Sequence, residues 1–362
     1  MITTQVIQKC IDDLKNISKV DLQIYDTEGA FVAKTQDAPG ADTEILAQFT
    51  GSAADSQSVG GMQYLKIYEE GEPAYVLICE EGAESYMIGR IAAAQIQSLS
   101  VAYREKYDRN NFFQNLILDN MLLVDIYNRA KKLHIETSGP RVVMLLEFPQ
   151  GKESTASDYL KGMFLEQTGD YVTAVDENSQ IVIKQLSDKD GYEEVNELAQ
   201  SIVSMMNTEA MLNVKLASGT IVQELKDVSK SYKEAKMAME VGKIFYEEKD
   251  VVSYHALGIG RLIYQLPPNL CRIFIEEIFG GDMPEEIDEE TLITIETFLE
   301  NNLNVSETSR QLYVHRNTLL YRLEKLEKLT GLDIRIFEDA LTLKIALMVV
   351  KRAEYESRMM GE

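Results

Sequence analysis

Arg316, Asn317 and Tyr321 stand in the run RNTLLYRLEKLEKLT, whose apolar positions Leu319, Leu323 and Leu326 return at helical spacing. At about 100° per residue those leucines cluster around one direction. Asn317 and Tyr321 occupy the opposite one, flanked by Thr318, Glu324 and Lys325. A guanidinium or carboxamide near the start of such a helix can make paired hydrogen bonds, Arg316 to guanine and Asn317 to adenine. Tyr321 suits a thymine methyl or a phosphate. Arg322 and Lys325, toward the rim, suit phosphate contact. The chemistry on offer is recognition.

These side chains need a frame, and the surrounding residues supply one. A short helix over Ser306 to Leu312, a tight connection at Tyr313-Val314 and a longer helix from Arg316 to about Leu329 form a helix-turn-helix pattern. Ser306 is the expected cap of the first helix. His315 falls at the cap of the second, a better role for it than base reading, and Gly331 supplies the stop. Leu312 and Val314 join the inner leucines. Ser306, Thr308 and Arg310 could anchor the DNA backbone, although Thr308 and Ser309, small residues at the helix crossing, suit packing better. The preceding DEETLITIETFLEN (288–301) puts Leu292, Ile295, Phe298 and Leu299 on one face, as a support helix would. Beyond Gly331 a last helix begins near Glu338, with Leu341, Ile345, Leu347 and Met348 covering the domain or forming a dimer interface.

The whole chain, 362 residues with a net charge of -23, has room for two or three domains. That charge argues against nonspecific coating of nucleic acid, so a DNA reader must concentrate its cations locally. Val305 to Leu332 does so weakly, with five Lys/Arg against three Glu, or +2. The first twenty residues lack the apolar run of a signal peptide, and no stretch reaches the length of a spanning helix. The expectation is a cytoplasmic protein without membrane contact. Cys10, Cys79 and Cys271 are isolated and read as buried thiols. His134, His255 and His315 lack metal-ligand spacing, so neither a metal nor a cofactor is expected.

Taken in order, residues 2–18 are helical in period and DLQIYD/AFVAKT form a hairpin around Thr27-Glu28-Gly29. A short helix follows near Thr43 to Phe49. The stretch Gly51 to Gly61 reads as a solvated connector, with a pocket lid as the other reading. MQYLKIYEE and AYVLICEE form a second hairpin. This order fits a PAS- or GAF-like sensor domain by analogy of architecture. From Glu84 to Met121 the pattern is helical, and REKYDRNN divides it into two helices. Ala92, Ile96, Leu99, Tyr103 and Tyr107 fit either a coiled-coil seam between two copies or packing on the preceding domain.

A second α/β segment follows: strand RVVMLLEF, helix SDYLKGMFLEQTG, hairpin DYVTAVD/QIVIKQL, helix GYEEVNELAQSIVSMMNTE, strand NVKLASG and a helix from about Val222 to Glu247. RVVMLLEF, LASGTIVQELKDVSKSYKEAKMAMEVGK and VVSYHALGIGRLI resemble the degenerate GGDEF-like domain of bacterial regulators in the sugar-diacid and purine-catabolism (CdaR/PucR) family. FLENNLNVSETSRQLYVHRNTLLYRLEKLEKLTGLDI resembles the helix-turn-helix of the same family, and YVHRNTLLYRL is its most specific part. An aromatic at Tyr313 agrees with that resemblance, with packing as its simplest role. In active cyclases of the GGDEF fold the hairpin carries Gly-Gly-Asp-Glu-Phe. Here the tip is Asp176-Glu177-Asn178-Ser179, so catalytic activity is not expected. Gly280-Gly281-Asp282-Met283 lies in an acidic linker, and Gly258-Ile259-Gly260 is an isolated glycine pair.

The resulting expectation is an α+β multidomain chain. Its parts are a PAS/GAF-like sensor (1–83), a helical linker (84–140), a degenerate GGDEF-like domain (141–260), a linker (261–285) and an all-α helix-turn-helix domain (286–362). The resemblance implies a ligand-responsive transcription regulator, an activator of a catabolic operon. It would bind double-stranded DNA as a homo-oligomer and answer a small-molecule effector, a sugar diacid or another catabolite. The expected DNA-binding residues are Arg316, Asn317, Thr318, Tyr321, Arg322, Lys325, Ser306, Arg310 and His315. The alternatives are a cyclase-like nucleotide-signalling enzyme and a protein-interaction module.

Overall fold

Helix α1 (Thr4–Ser18) turns Ile7, Cys10 and Ile11 inward and ends where Lys19 takes a left-handed conformation. A computed structural model describes residues 2–69, 71–164, 169–284 and 287–360. They divide between two units, Met1–Phe113 and Gln114–Glu362. In the first unit α1 precedes β1 (Gln23–Asp26), β2 (Phe31–Lys34), α2 (Thr43–Thr50), β3 (Ser56–Val59), β4 (Met62–Glu69), β5 (Glu72–Glu80) and α3 (Ala83–Ile117). The strands form an antiparallel sheet in the order β2-β1-β5-β4-β3. Because strand side chains alternate, Ile24, Leu65, Ile67, Leu77 and Cys79 pack with residues of α1 and α3. Tyr64, Val76 and Ile78 point the other way and pack with Leu46 and Phe49 of α2. A Cβ on Gly89 would lie 2.5 Å from Leu65 Cδ1, so this glycine lets α3 settle closely on the sheet.

Two expectations for this unit change. The stretch Gly51 to Gly61 contains strand β3, which folds back on β4 through Gly60 and Gly61, both at positive φ. Glycine at both central positions is the signature of a tight hairpin turn, whereas SQSV lacks the apolar alternation that marks a strand. Helix α3 is also unbroken across REKYDRNN. Arg, Glu and Lys are good helix formers, and neither proline nor glycine follows Gly89 before Ile117. Of the supposed seam, Ala92 and Ile96 are buried in the unit's own core with Leu99 packed beside them, while Tyr103 and Tyr107 are exposed.

The second unit opens with the end of α3 and α4 (Leu123–Lys132). It continues through β6 (Ser138–Glu147), α5 (Glu153–Met163), β7 (Tyr171–Thr173), β8 (Ser179–Gln185), α6 (Tyr192–Thr208), β9 (Lys215–Ser218), β10 (Val222–Glu224), α7 (Val228–Phe245) and β11 (Val251–Ser253). The sheet order is β11-β9-β6-β8-β7, with β10 also paired to β6. Among the described residues only the β11–β9 pair of this sheet is parallel. Strand β6 is buried on both faces. Val142, Met144 and Leu146 meet residues of α5 and α6, and α7 packs against β6 and β9. The Ser231 hydroxyl accepts from the Val143 N–H at 3.0 Å and donates to the Thr220 carbonyl at 2.8 Å, fixing α7 to the sheet. A Cβ on Gly219 would fall 1.9 Å from the Ser231 carbonyl oxygen, so glycine is required there.

The helix expected from Val222 therefore starts late: Val222–Glu224 pair with β6 as β10, and α7 begins at Val228. The helix read in SDYLKGMFLEQTG ends at Met163, and residues 165–168 lie outside the described residues. The expected linker 261–285 is not a plain connector. It contains most of α8 (Gly260–Tyr264) and all of α9 (Pro268–Phe279), whose Ile263 and Cys271 are buried with Val349 of α13 (Phe337–Met360). Residues 285 and 286, where that linker was to end, lie outside the described residues. All three cysteines are buried and free, and burial pushes the Cys79 thiol up to about 11. Among the described residues no helix is long and apolar enough to cross a membrane.

Candidate nucleic-acid interface

Three helices build the C-terminal recognition element: α10 (Glu289–Glu300), α11 (Val305–Gln311) and α12 (Arg316–Thr330). Ile295 and Phe298 of α10 meet Leu319, Leu323 and Leu326 of α12, and Leu312 and Val314 of the turn pack beside them. Ala340, Leu343 and Leu347 of α13 close the core. Leu341, expected to cover this domain, is exposed instead, because α13 begins at Phe337 and turns Leu343 inward.

The caps explain how the turn is set. Asn304, not Ser306, caps α11: its Oδ1 accepts from the Ser306 and Glu307 N–H groups at 3.0 and 3.1 Å. The expectation for Ser306 failed because Asn304 already occupies the residue before the first helical turn. Its capping pair with Glu307 was the available signal. His315 does cap α12, with Nδ1 accepting from the Asn317 N–H at 3.2 Å, and Gly331 at φ 73° ends that helix. Thr308 is buried and its hydroxyl donates to the Asn304 carbonyl at 2.8 Å. Ser309 is also buried, so both serve packing in this structure. Tyr313 does not pack: it is 96% exposed with φ 54°.

The exposed side of α12 carries Arg316, Asn317, Thr318, Tyr321, Glu324, Lys325 and Lys328. Among the described residues, no hydrogen bond or ion pair holds the side chains of Arg316, Asn317, Tyr321, Lys325 or Lys328. Lys328 was missed by sequence reasoning, although at about 100° per residue it falls between Asn317 and Tyr321 in direction. Helix N-termini favour anions, yet the first turn of α12 has no acidic residue and begins with Arg316. With His315 already taking the Asn317 N–H, the free Arg316 guanidinium at the positive end of the helix dipole makes this end of α12 a pole for an anionic partner.

The other two predicted cations are held differently. Arg322 reaches back to α10, forming an ion pair with Glu290 and donating to Thr294 Oγ1 at 3.1 Å. Its guanidinium is thus committed to joining α12 to α10, against the expectation of a free phosphate contact. Arg310 is exposed and pairs along its own helix with Glu307 at 2.8 Å. Ser306 is exposed at the start of α11. The Asp288 carboxylate caps α10 and is held below its usual range by the hydroxyl and N–H of Thr291.

The GGDEF-like hairpin, between β7 and β8, is closed differently. Its tip is an Asx turn, in which Asp176 Oδ1 accepts from the Asn178 N–H at 3.0 Å. The Asn178 carbonyl accepts from the Phe148 N–H at 3.2 Å. Among the described residues no group of three or more His, Cys, Asp or Glu is arranged to hold a metal ion.

Comparisons with known proteins agree with this architecture. Residues 291–349 match the model of the PucR C-terminal helix-turn-helix domain, and residues 120–241 match that of the GGDEF-like domain. The chain is 24% identical over 294 residues to the purine catabolism regulatory protein of Bacillus subtilis (strain 168), a match covering 77% of this chain and 54% of that protein. It is 24% identical over 265 residues to the carbohydrate diacid regulator of Escherichia coli (strain K12), covering 67% and 65%. A further match, 25% over 194 residues, is to the proline-responsive transcriptional activator PutR of Bacillus subtilis (strain 168), covering 50% and 46%. The chain thus spans roughly half to two-thirds of the length of these curated relatives. A GGDEF-like domain followed by a PucR-type helix-turn-helix defines the class. In these two regions the chain is similar to regulators of the PucR/CdaR type.

Proposed function

We propose that the chain is a ligand-responsive transcription regulator that reads the major groove of double-stranded DNA with residues 316–329. The observation that carries this reading is the face of α12, where Arg316, Asn317, Tyr321 and Lys325 are exposed and unpaired within a PucR-type helix-turn-helix. Arg316 and Asn317 read bases, while Thr318, Tyr321 and Lys325 flank them. His315 positions the helix start, and Ser306 and Arg310 approach the DNA backbone from α11. Arg322 contributes a phosphate contact only when it leaves Glu290. The relatives' names support transcription control, in one case activation. Activation of a catabolic operon, with a sugar diacid or related catabolite as effector, is the reading we adopt.

In this reading the domain division is sensor 1–83, helical linker 84–140, GGDEF-like domain 141–260, connecting helices 261–285 and reader 286–362. Helices on both faces of an antiparallel sheet support a PAS/GAF-like sensor. The protein acts in the cytoplasm, where its DNA lies, and is not an enzyme. The hairpin tip without the glycine pair supports that, since no backbone there is bared for a nucleotide phosphate. A homo-oligomer follows from the small number of bases one helix can read. Leu118, Leu122, Leu123 and Val124, exposed around the start of α4, support such an assembly.

Selection of genomic fragments on the purified protein tests the function. Enrichment of a common sequence, with affinity falling as salt rises, is the expected result. Recovery without sequence preference, or no recovery, refutes it.

A further inference from the structure

Helix α11 ends in a backbone arrangement that ordinarily selects glycine. The Val314 N–H donates to the Ser309 carbonyl at 3.0 Å and the Tyr313 N–H to the Arg310 carbonyl at 3.2 Å. This pair of bonds is the Schellman stop, whose left-handed residue is usually glycine. Here it is Tyr313, at φ 54°, where a Cβ crowds the backbone. Behind α9 and α12 the left-handed residues are Gly280 and Gly331, at φ 71° and 73°, while behind α1 and α4 the polar residues Lys19 and His134 take that place. Tyr313 is also 96% exposed, and among the described residues neither its ring nor its hydroxyl has a hydrogen-bond or ring partner. Local conformation therefore disfavours tyrosine here, and packing gives nothing back.

The setting supplies a reason. Leu312 and Val314, on either side, pack into the three-helix core, so the turn is pinned and the ring is held outward. His315 and Arg316 follow at once, at the end of α12 suited to an anion. We propose that Tyr313 is a DNA-backbone contact whose phenol O–H donates to a phosphate oxygen at the edge of the groove entered by α12. This rests on the reading of α12 as a DNA-reading helix. A phosphate contact positions the reader without choosing a base. Because the phenol is neutral it displaces no counterion, so it adds affinity without steepening the salt dependence.

The test uses the full chain, a duplex recovered by genomic selection and an unrelated duplex, titrated by fluorescence anisotropy at several salt concentrations. Tyr313→Gly and Tyr313→Phe should each bind both duplexes about three- to tenfold more weakly, the range of one hydrogen bond. The slope against salt should stay at the wild-type value. Tyr313→Gly should unfold at or above the wild-type midpoint, because glycine relieves the left-handed conformation. The proposal is overturned if either variant binds like wild type. It is also overturned if Tyr313→Gly loses stability along with binding, which makes the residue structural. Retained affinity in Tyr313→Phe alone assigns the contact to the ring and rejects the phosphate bond. A wild-type protein that binds no DNA fails the underlying reading, and that is seen before any variant is compared.

Discussion

Lys243 and Arg352 sit where α7, α8 and α13 meet, whereas Arg316 and Lys325 sit on α12, and the fold treats the two pairs of cations in opposite ways. Lys243 pairs with Glu147 at 2.9 Å and with Glu240 at 2.8 Å. The two carboxylates raise its pKa despite its burial. Arg352, almost fully buried, donates to the Ile263 carbonyl, pairs with Glu356 at 2.8 Å and lies over the Tyr264 ring. Tyr355, one turn along α13, donates to Glu240 at 3.4 Å. Here both cations have been given their acceptors, as burial demands. On α12 Arg316 and Lys325 have none among the described residues, in contrast to Arg322. Desolvation forces satisfaction in the first region, and exposure permits its absence in the second. Unpaired charge at an exposed helix start contributes little to the fold and is free for a partner.

The contrast also concerns reach. Helix α13 gives Leu343 and Leu347 to the core of the helix-turn-helix and Val349, Arg352 and Tyr355 to the packing on α7, α8 and α9. One helix therefore belongs to both the reader and the segment before it. A change in how α7 is held would be felt along α13.

The largest expected effect of breaking this contrast is on the satisfied side. Arg352→Met should cost about 2–3 kcal/mol of stability, because the Ile263 carbonyl and Glu356 lose a buried donor. Denaturant unfolding measures it, and a midpoint equal to wild type would show that the pairing is dispensable. Arg316→Ala should leave stability unchanged and remove about 1–3 kcal/mol of specific DNA binding. Asn304→Ala should cost about 1 kcal/mol of stability as the α11 cap is lost. Ser306→Ala should cost little, so equal losses would return the cap to Ser306.

Smaller effects sharpen the comparison on α12 itself. Lys325→Ala should weaken operator and unrelated DNA alike and reduce the salt slope by about 0.9. Glu290→Gln should release Arg322 and raise affinity a few-fold with a steeper slope, about that of one more phosphate contact. An unchanged slope in this variant would mean that Arg322 stays with Thr294 and α10. Both slopes come from titrations across salt concentrations.

The reader was legible because its signals are local. The leucines of α12 define its buried side, Gly331 its end and His315 its start, all within one stretch. The support helix was visible in Ile295 and Phe298 for the same reason. What escaped depended on partners distant in sequence or on conformation. Nothing near Arg322 announces Glu290, and Tyr313 gives no local sign that its φ is positive. Strand β3 was hidden because SQSV is an edge segment without apolar alternation, and β10 because Val222–Glu224 adjoins a strong helical pattern. The charged run REKYDRNN hides the length of α3, because it interrupts the apolar pattern without interrupting the helix. The free face of Lys328 was open to the same helical geometry that identified Tyr321.

The central claim is that the unpaired start of α12 reads DNA sequence. A paired titration tests it most directly: wild type and Arg316→Ala, each against a selected genomic fragment and a scrambled duplex of equal length. Wild type should prefer the selected fragment, and Arg316→Ala should lose most of that preference while unfolding at the wild-type midpoint. A wild-type protein without preference, or a variant that keeps it in full, would contradict the claim.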